Sequence, residues 1–118
     1  MTQTPIALFV YNRPDHTRQT VAALAHNHLA GASDLMIFSD AAKTSEDAAK
    51  VAEVRHLLRQ IDGFRSVEIV ERESNFGLAN SVIDGVSAVI ARNDQVIVVE
   101  DDIVTAPDFL TFMNQALN

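Results

Sequence analysis

The chain contains no cysteine. Disulfides, thiolate nucleophiles and thiolate metal ligands are therefore excluded, and a reducing, cytoplasmic setting is the expectation. Glycine is scarce: Gly31, Gly63, Gly77 and Gly85 are the full set. None of them stands in a G-x-x-x-x-G-K-[ST] phosphate loop or a G-x-G-x-x-G dinucleotide fingerprint. Basic residues are also few. Nine Lys and Arg against 16 Asp and Glu leave a formal charge of −7, which disfavours a general nucleic-acid surface. An anionic small ligand would need a local cation, and a bound metal is one source. No apolar run approaches the roughly 18 to 20 residues of a transmembrane helix. Met1-Thr2-Gln3-Thr4-Pro5 puts no basic segment before an apolar core, so it does not read as a secretory signal.

What is present is enough for a core. Hydrophobic residues make up 47% of 118 positions, which suits one folded domain and argues against disorder. Apolar and amphipathic segments alternate. Residues 6–11 (IALFVY) read as a buried strand, and Pro14 or Asp15 opens a helix in which Thr17, Val21, Leu24 and His28 share a face. Residues 35–39 (LMIFS) read as a second strand. Thr44 and Asp47 have capping-box spacing and open a helix to about Asp62, with Val51, Val54, Leu58 and Ile61 as its apolar stripe and Gly63 as its stop. The alternation in 66–71 (SVEIVE) suggests a half-exposed edge strand. NFGLANSVIDGVSAVIAR is the third helix, with Leu78, Val82, Ile83, Val86 and Ile90 clustered on one side. Residues 95–100 form a fourth strand that looks buried on both faces. Thr105 and Asp108 again have capping-box spacing, and a last helix runs from Ala106 to the chain end. Four strands alternating with four helices predict a mostly parallel four-stranded sheet in a Rossmann-like three-layer α/β sandwich.

In such sheets ligands bind beyond the carboxyl ends of the strands, at the point where strand order reverses. The residues to weigh are therefore Asn12 and Arg13, Ser39 and Asp40, Arg72 to Asn75, and Glu100, Asp101 and Asp102. Three adjacent carboxylates repel one another unless a cation compensates. Hard oxygen ligands suit Mg2+ or Mn2+, which keep some waters and accept phosphate oxygens. The plainer reading is a solvated acidic loop before a helix N-terminus, where negative charge is favourable. A Walker B strand would also end in Glu-Asp, but its phosphate loop is missing. A receiver domain needs acids after the first strand, where this chain has Asn12-Arg13-Pro14. Arg13 suits a phosphate contact, and Asp40 could accept from a base or ribose. At the third helix, Gly77 allows close backbone approach and free N–H groups. His16, His26, His28 and His56 lie in helical segments away from the strand ends and read as structural or surface residues. No Ser-His-Asp arrangement is readable.

Taken together, ALFVYNRPDHTRQTVAAL, IFSD, ERESNFGLANSVIDGV and VIVVEDDIVTAPDFLTFMNQAL resemble nucleotide-sugar glycosyltransferases of the GT-A fold. The resemblance is to bacterial sugar transferases, including haemolysin-like proteins. The acidic triplet with its PDF helix is also similar to animal N-acetylglucosaminyltransferase I. The likeness covers nearly the whole chain and implies roles. Asp102 matches the ligand of Mn2+ or Mg2+, Asp101 a ribose contact, and Glu100 a contact near the donor sugar. Arg13 matches an arginine that reaches the donor phosphates and Asp40 an acid that binds the base, with Arg72, Asn75 and Asn80 as further donor contacts. The family often has Ser-Asp-Gly where this chain has Ser39-Asp40-Ala41, which bears on the loop near the base. No residue can be assigned as the general base. The resemblance thus implies that 1–118 is the nucleotide-sugar donor-binding half of a longer, metal-dependent glycosyltransferase. That half would be the N-terminal one and inactive alone. It would take a UDP-sugar and serve a glycan or lipid-linked acceptor. The setting implied is cytoplasmic or peripheral at the inner face of a membrane. Two rivals are a non-catalytic α/β binding or assembly module and a nucleotidyltransferase.

Overall fold

The computed structural model describes residues 3–117. Strands and helices alternate as β1 (Ile6–Val10), α1 (Pro14–Ala25), β2 (Asp34–Ser39), α2 (Ser45–Leu58), β3 (Ser66–Glu71), α3 (Leu78–Ile90), β4 (Ile97–Glu100) and α4 (Phe109–Leu117), with a 3-10 turn at Ala30–Ala32. The sheet order is β3-β2-β1-β4 and every pairing is parallel. This is the Rossmann-like sandwich expected, with a wholly parallel sheet. No helix among the described residues is long and apolar enough to cross a membrane.

Interior strands read as continuous apolar runs because helices cover both their faces, and β1 is buried throughout. Alternate side chains divide the core. Ile6, Leu8, Leu35, Ile37, Ile97 and Val99 point to one side and meet Val21 and Leu24 of α1, Val54 and Leu58 of α2, and Leu110 of α4. Ala7, Phe9, Met36 and Phe38 point to the other and meet Val89, with Val82 and Val86 of α3 packed against them. α4 packs Phe109, Leu110, Met113 and Leu117 against its own sheet. Asn27 Oδ1 accepts the Leu110 N–H at 2.9 Å, and Asn114 Oδ1 accepts the Thr4 N–H at 2.8 Å.

Several boundaries and faces differ from expectation. β1 stops at Val10, leaving Tyr11 beyond it, and α1 stops at Ala25, so His28 is not on its face. α2 ends at Leu58 rather than near Asp62, so Gly63, at φ 89°, shapes the turn into β3 instead of stopping the helix. α3 begins only at Leu78, and its inward residues are Ser81, Gly85 and Val89. Leu78, Ile83 and Ile90 are exposed. The reason is Gly85: a Cβ there would lie 2.6 Å from Phe9 Cε1. The helix sits on its smallest residue, against a Phe9–Phe38 stack with centroids 5.1 Å apart, and its larger apolar residues are turned aside. Among the described residues β4 pairs on one side only, and it is not the doubly buried strand its composition suggests: Val98 is 42% exposed. α4 starts at Phe109, not Ala106, and its remote cap is Asn27, while Thr105 accepts from Asn27 Nδ2 at 3.0 Å. The expected last helical residue, Asn118, lies outside the described residues.

Candidate functional site

The carboxyl ends of β1, β2 and β4 converge with the start of α3 around one cavity of about 390 Å3, a size suited to a small ligand. It lies at the switch point, since β2 and β3 extend the sheet on one side of β1 and β4 on the other. Of the residues nominated from the sequence, Arg13, Asp40, Asn75, Glu100 and Asp101 line it. Gly77 and Ser81 of the α3 region line it too, as do Tyr11, Asn12 and Lys43.

Asp40 follows β2 directly and is buried. Its Oδ1 accepts the backbone N–H groups of Ala41 (2.9 Å) and Phe76 (2.8 Å). Its Oδ2 accepts the Gly77 N–H at 3.0 Å and Asn75 Nδ2 at 3.3 Å. A carboxylate offers about four acceptor sites; three are taken by the loop that leads into α3 and one by the neighbouring Ala41 N–H. The free N–H groups anticipated at that helix start are thus partly satisfied from within. Asn75 also donates to Ala41 O at 2.8 Å. Gly77, at φ 79°, takes a backbone conformation that other residues rarely adopt.

Arg72 does not line the cavity. Its side chain is buried at the end of β3, with the guanidinium 5.1 Å from the Phe38 ring centroid and 4.4 Å from that of Phe76. Nη1 meets Asp84 at 2.7 Å and Nη2 donates to Ser81 O at 3.1 Å. These contacts join β3 to α3 beneath the site. Asn80 is exposed and donates to Phe76 O at 3.1 Å, away from the cavity. Arg55 of α2 was not nominated, yet it binds two strand ends: Nε donates to Ser39 Oγ at 3.0 Å, and Nη2 donates to Ser39 O at 3.1 Å and Arg72 O at 2.9 Å.

The three acids have different surroundings. β4 ends at Glu100, so strand alternation does not extend to Asp101 and Asp102. Glu100 is half-buried on the cavity wall. Asp101 is buried and ion-paired with Arg13, and its carbonyl accepts from Thr20 Oγ1 at 2.8 Å. Asp102 is exposed. Among the described residues no group of three or more His, Cys, Asp and Glu side chains stands together to hold a metal ion. Asp102 is not among the residues that line the cavity; an exposed carboxylate is the donor type that Mg2+ and Mn2+ take, with substrate phosphates and water completing the shell.

Tyr11, Lys43 and Asp47 escaped the sequence reading. Tyr11 was absorbed into β1, although a residue just past a strand end was the available signal. The Thr44–Asp47 spacing suggests a capping box, but Thr44 makes no side-chain cap hydrogen bond. Instead Asp47 Oδ2 accepts from Tyr11 OH at 2.9 Å and Oδ1 from Asn12 Nδ2 at 2.9 Å. Those two bonds, Asn12 first, hold the Asp47 carboxyl below its ordinary range. Burial, then the hydrogen bond and charge of Asp47, push the Tyr11 phenol above its ordinary value.

Comparison with solved structures returns the same architecture. TarS 1–349 of S. aureus matches with a TM-score of 0.61 at 11% identity, covering 93% of this chain and 31% of that one. A second S. aureus TarS structure matches with a TM-score of 0.61 at 12% identity, covering 95% and 20%. The chain thus spans between a fifth and a third of these proteins, and at such identities the likeness is one of fold. Comparison with curated proteins finds no match. The model of glycosyl transferase family 2 matches residues 6–117, and by that match the chain belongs to this family.

Proposed function

We propose that this chain is the donor-binding part of a metal-dependent glycosyltransferase that takes a nucleoside-diphosphate sugar, with UDP-sugars as the first class to test. Family membership supports glycosyl transfer in general. The observation that carries the finer reading is the single cavity where Arg13, Asp40, Asn75, Glu100 and Asp101 meet. In this reading the base lies against Tyr11 and the Asn75 loop. Glu100 faces the sugar. Asp101, held by Arg13, faces the ribose, and Arg13 stands where the diphosphate passes. Asp102 is the protein ligand of Mn2+ or Mg2+, which when bound neutralises charge on the departing nucleoside diphosphate. The acceptor is a glycan or a lipid-linked saccharide, and the setting is cytoplasmic or peripheral to a membrane.

The test is thermal. Melting temperatures are measured with UDP plus Mn2+, UDP plus EDTA, and Mn2+ alone. Ligand at about 100 times its dissociation constant stabilises by roughly 2.7 kcal/mol. UDP plus Mn2+ is expected to exceed the sum of the separate shifts. Asp102→Asn, at an exposed position, is expected to abolish that excess and leave the unliganded melting temperature in place. A folded sample with no metal-dependent nucleotide shift contradicts the proposal.

A further inference from the structure

We propose that Asp47 is a positioning residue for the nucleotide site, locking Tyr11 and Asn12 into a wall that stands before any donor arrives. The inference rests on the reading of the cavity as a nucleotide site. Its ground is how Asp47 is used. Asp47 is the third residue of α2, where a side chain ordinarily turns back to the backbone N–H at the helix start. Here the carboxylate leaves its own helix and accepts from Tyr11 and Asn12 past the end of β1, both at 2.9 Å. Thr44 Oγ1 lies at 3.4 Å from the same carboxylate.

The phenol is held twice. Tyr11 OH donates to Asp47 and accepts the Lys43 backbone N–H at 3.0 Å. One small cluster thus joins the end of β1, the loop after Asp40 and the first turn of α2. Tyr11, Asn12 and Lys43 all line the cavity. An aromatic wall whose hydroxyl has both roles committed does not need to be ordered on binding, and ordering side chains is one of the main costs of association. The charges bearing on the cluster are few: Lys50 on α2 acts on Asp47, and Asp40 at the end of β2 acts on Tyr11.

The composition supplies the probe. Tyr11 is the sole tyrosine and there is no tryptophan, so phenol absorbance and emission report on one residue. In the folded wild-type chain the phenol is expected to titrate above the roughly 10 of free tyrosine. Asp47→Asn is expected to move that midpoint down, because Asp47 favours the protonated phenol through its hydrogen bond and its charge. The sign for stability follows. A folded-state value raised above the unfolded one gives stabilisation that is complete below about pH 10 and is lost as pH rises through the folded midpoint. An unchanged midpoint in folded Asp47→Asn overturns the lock.

The second arm is calorimetric titration of UDP with Mn2+ present. Asp47→Asn is expected to weaken binding on the order of fivefold. Tyr11→Phe, which keeps the ring but removes both of its tethers, is expected to weaken binding as well, and the double variant by less than the two effects combined, as coupled residues behave. If Asp47→Asn does not fold, Tyr11→Phe carries the test: UDP affinity equal to wild type refutes positioning. A shifted phenol with unchanged UDP affinity also refutes it. If wild type binds no UDP while its phenol is raised as expected, the lock stands as structure, but the nucleotide reading fails and the positioning role falls with it.

Discussion

The two oxygens of Asp40 accept four N–H donors, three from the backbone and one from Asn75. Replacing it by Asn turns one acceptor into a donor that faces other donors. Leaving buried polar groups unsatisfied costs roughly 1–3 kcal/mol each. Asp40→Asn is therefore expected to lower unfolding free energy by roughly 2–4 kcal/mol, measured by urea denaturation, even with no nucleotide present. A loss below about 0.5 kcal/mol, typical of surface substitutions, means the loop does not depend on this carboxylate. At this scale the sequence was informative about position and less so about task. Asp40, Glu100 and Asp101 could be singled out because each follows an apolar strand. That Asp40 takes three of its donors from the loop before α3, or that Arg72 is buried against the Phe38 ring, depends on residues more than 30 positions apart and on side-chain directions, which no local pattern encodes.

The elements themselves were legible where a period or a breaker marks them. Pro14 fixes the start of α1, and alternation marks β3 as an edge. The failures came where packing overrules local pattern. α3 has a strong apolar cluster at Leu78, Ile83 and Ile90, yet it seats on Gly85 because only a hydrogen fits over the Phe9–Phe38 stack. β4 is apolar from Ile97 to Val99, but among the described residues it has a neighbour on one side only. Gly85→Ala tests the first point. Alanine favours a helix over glycine by about 1 kcal/mol, whereas an overpacked core costs roughly 1–3 kcal/mol. The expected result is a net loss of up to about 2 kcal/mol in urea denaturation. A gain in stability contradicts the close approach.

For the whole molecule, the sheet order joins the two ends of the sequence. Ile6 pairs with Leu35 on one side and with Ile97 on the other. Closing the second pairing requires a far longer loop, and distant pairings form late when loop entropy governs the order of events. Val99→Ala in β4 is expected mainly to speed unfolding, and Ile37→Val in β2 mainly to slow folding, in stopped-flow chevrons. The opposite assignment refutes this sequence of events.

The same strand order has a consequence for a chain emerging from a ribosome. β1, β2 and β3 can already be paired while β4 is still being made. Glu100 and Asp101, which wall the cavity on one side, enter only with β4. The cavity is walled on that side only once β4 is in place, so a chain that has not yet reached β4 has no complete pocket in which to sequester a ligand.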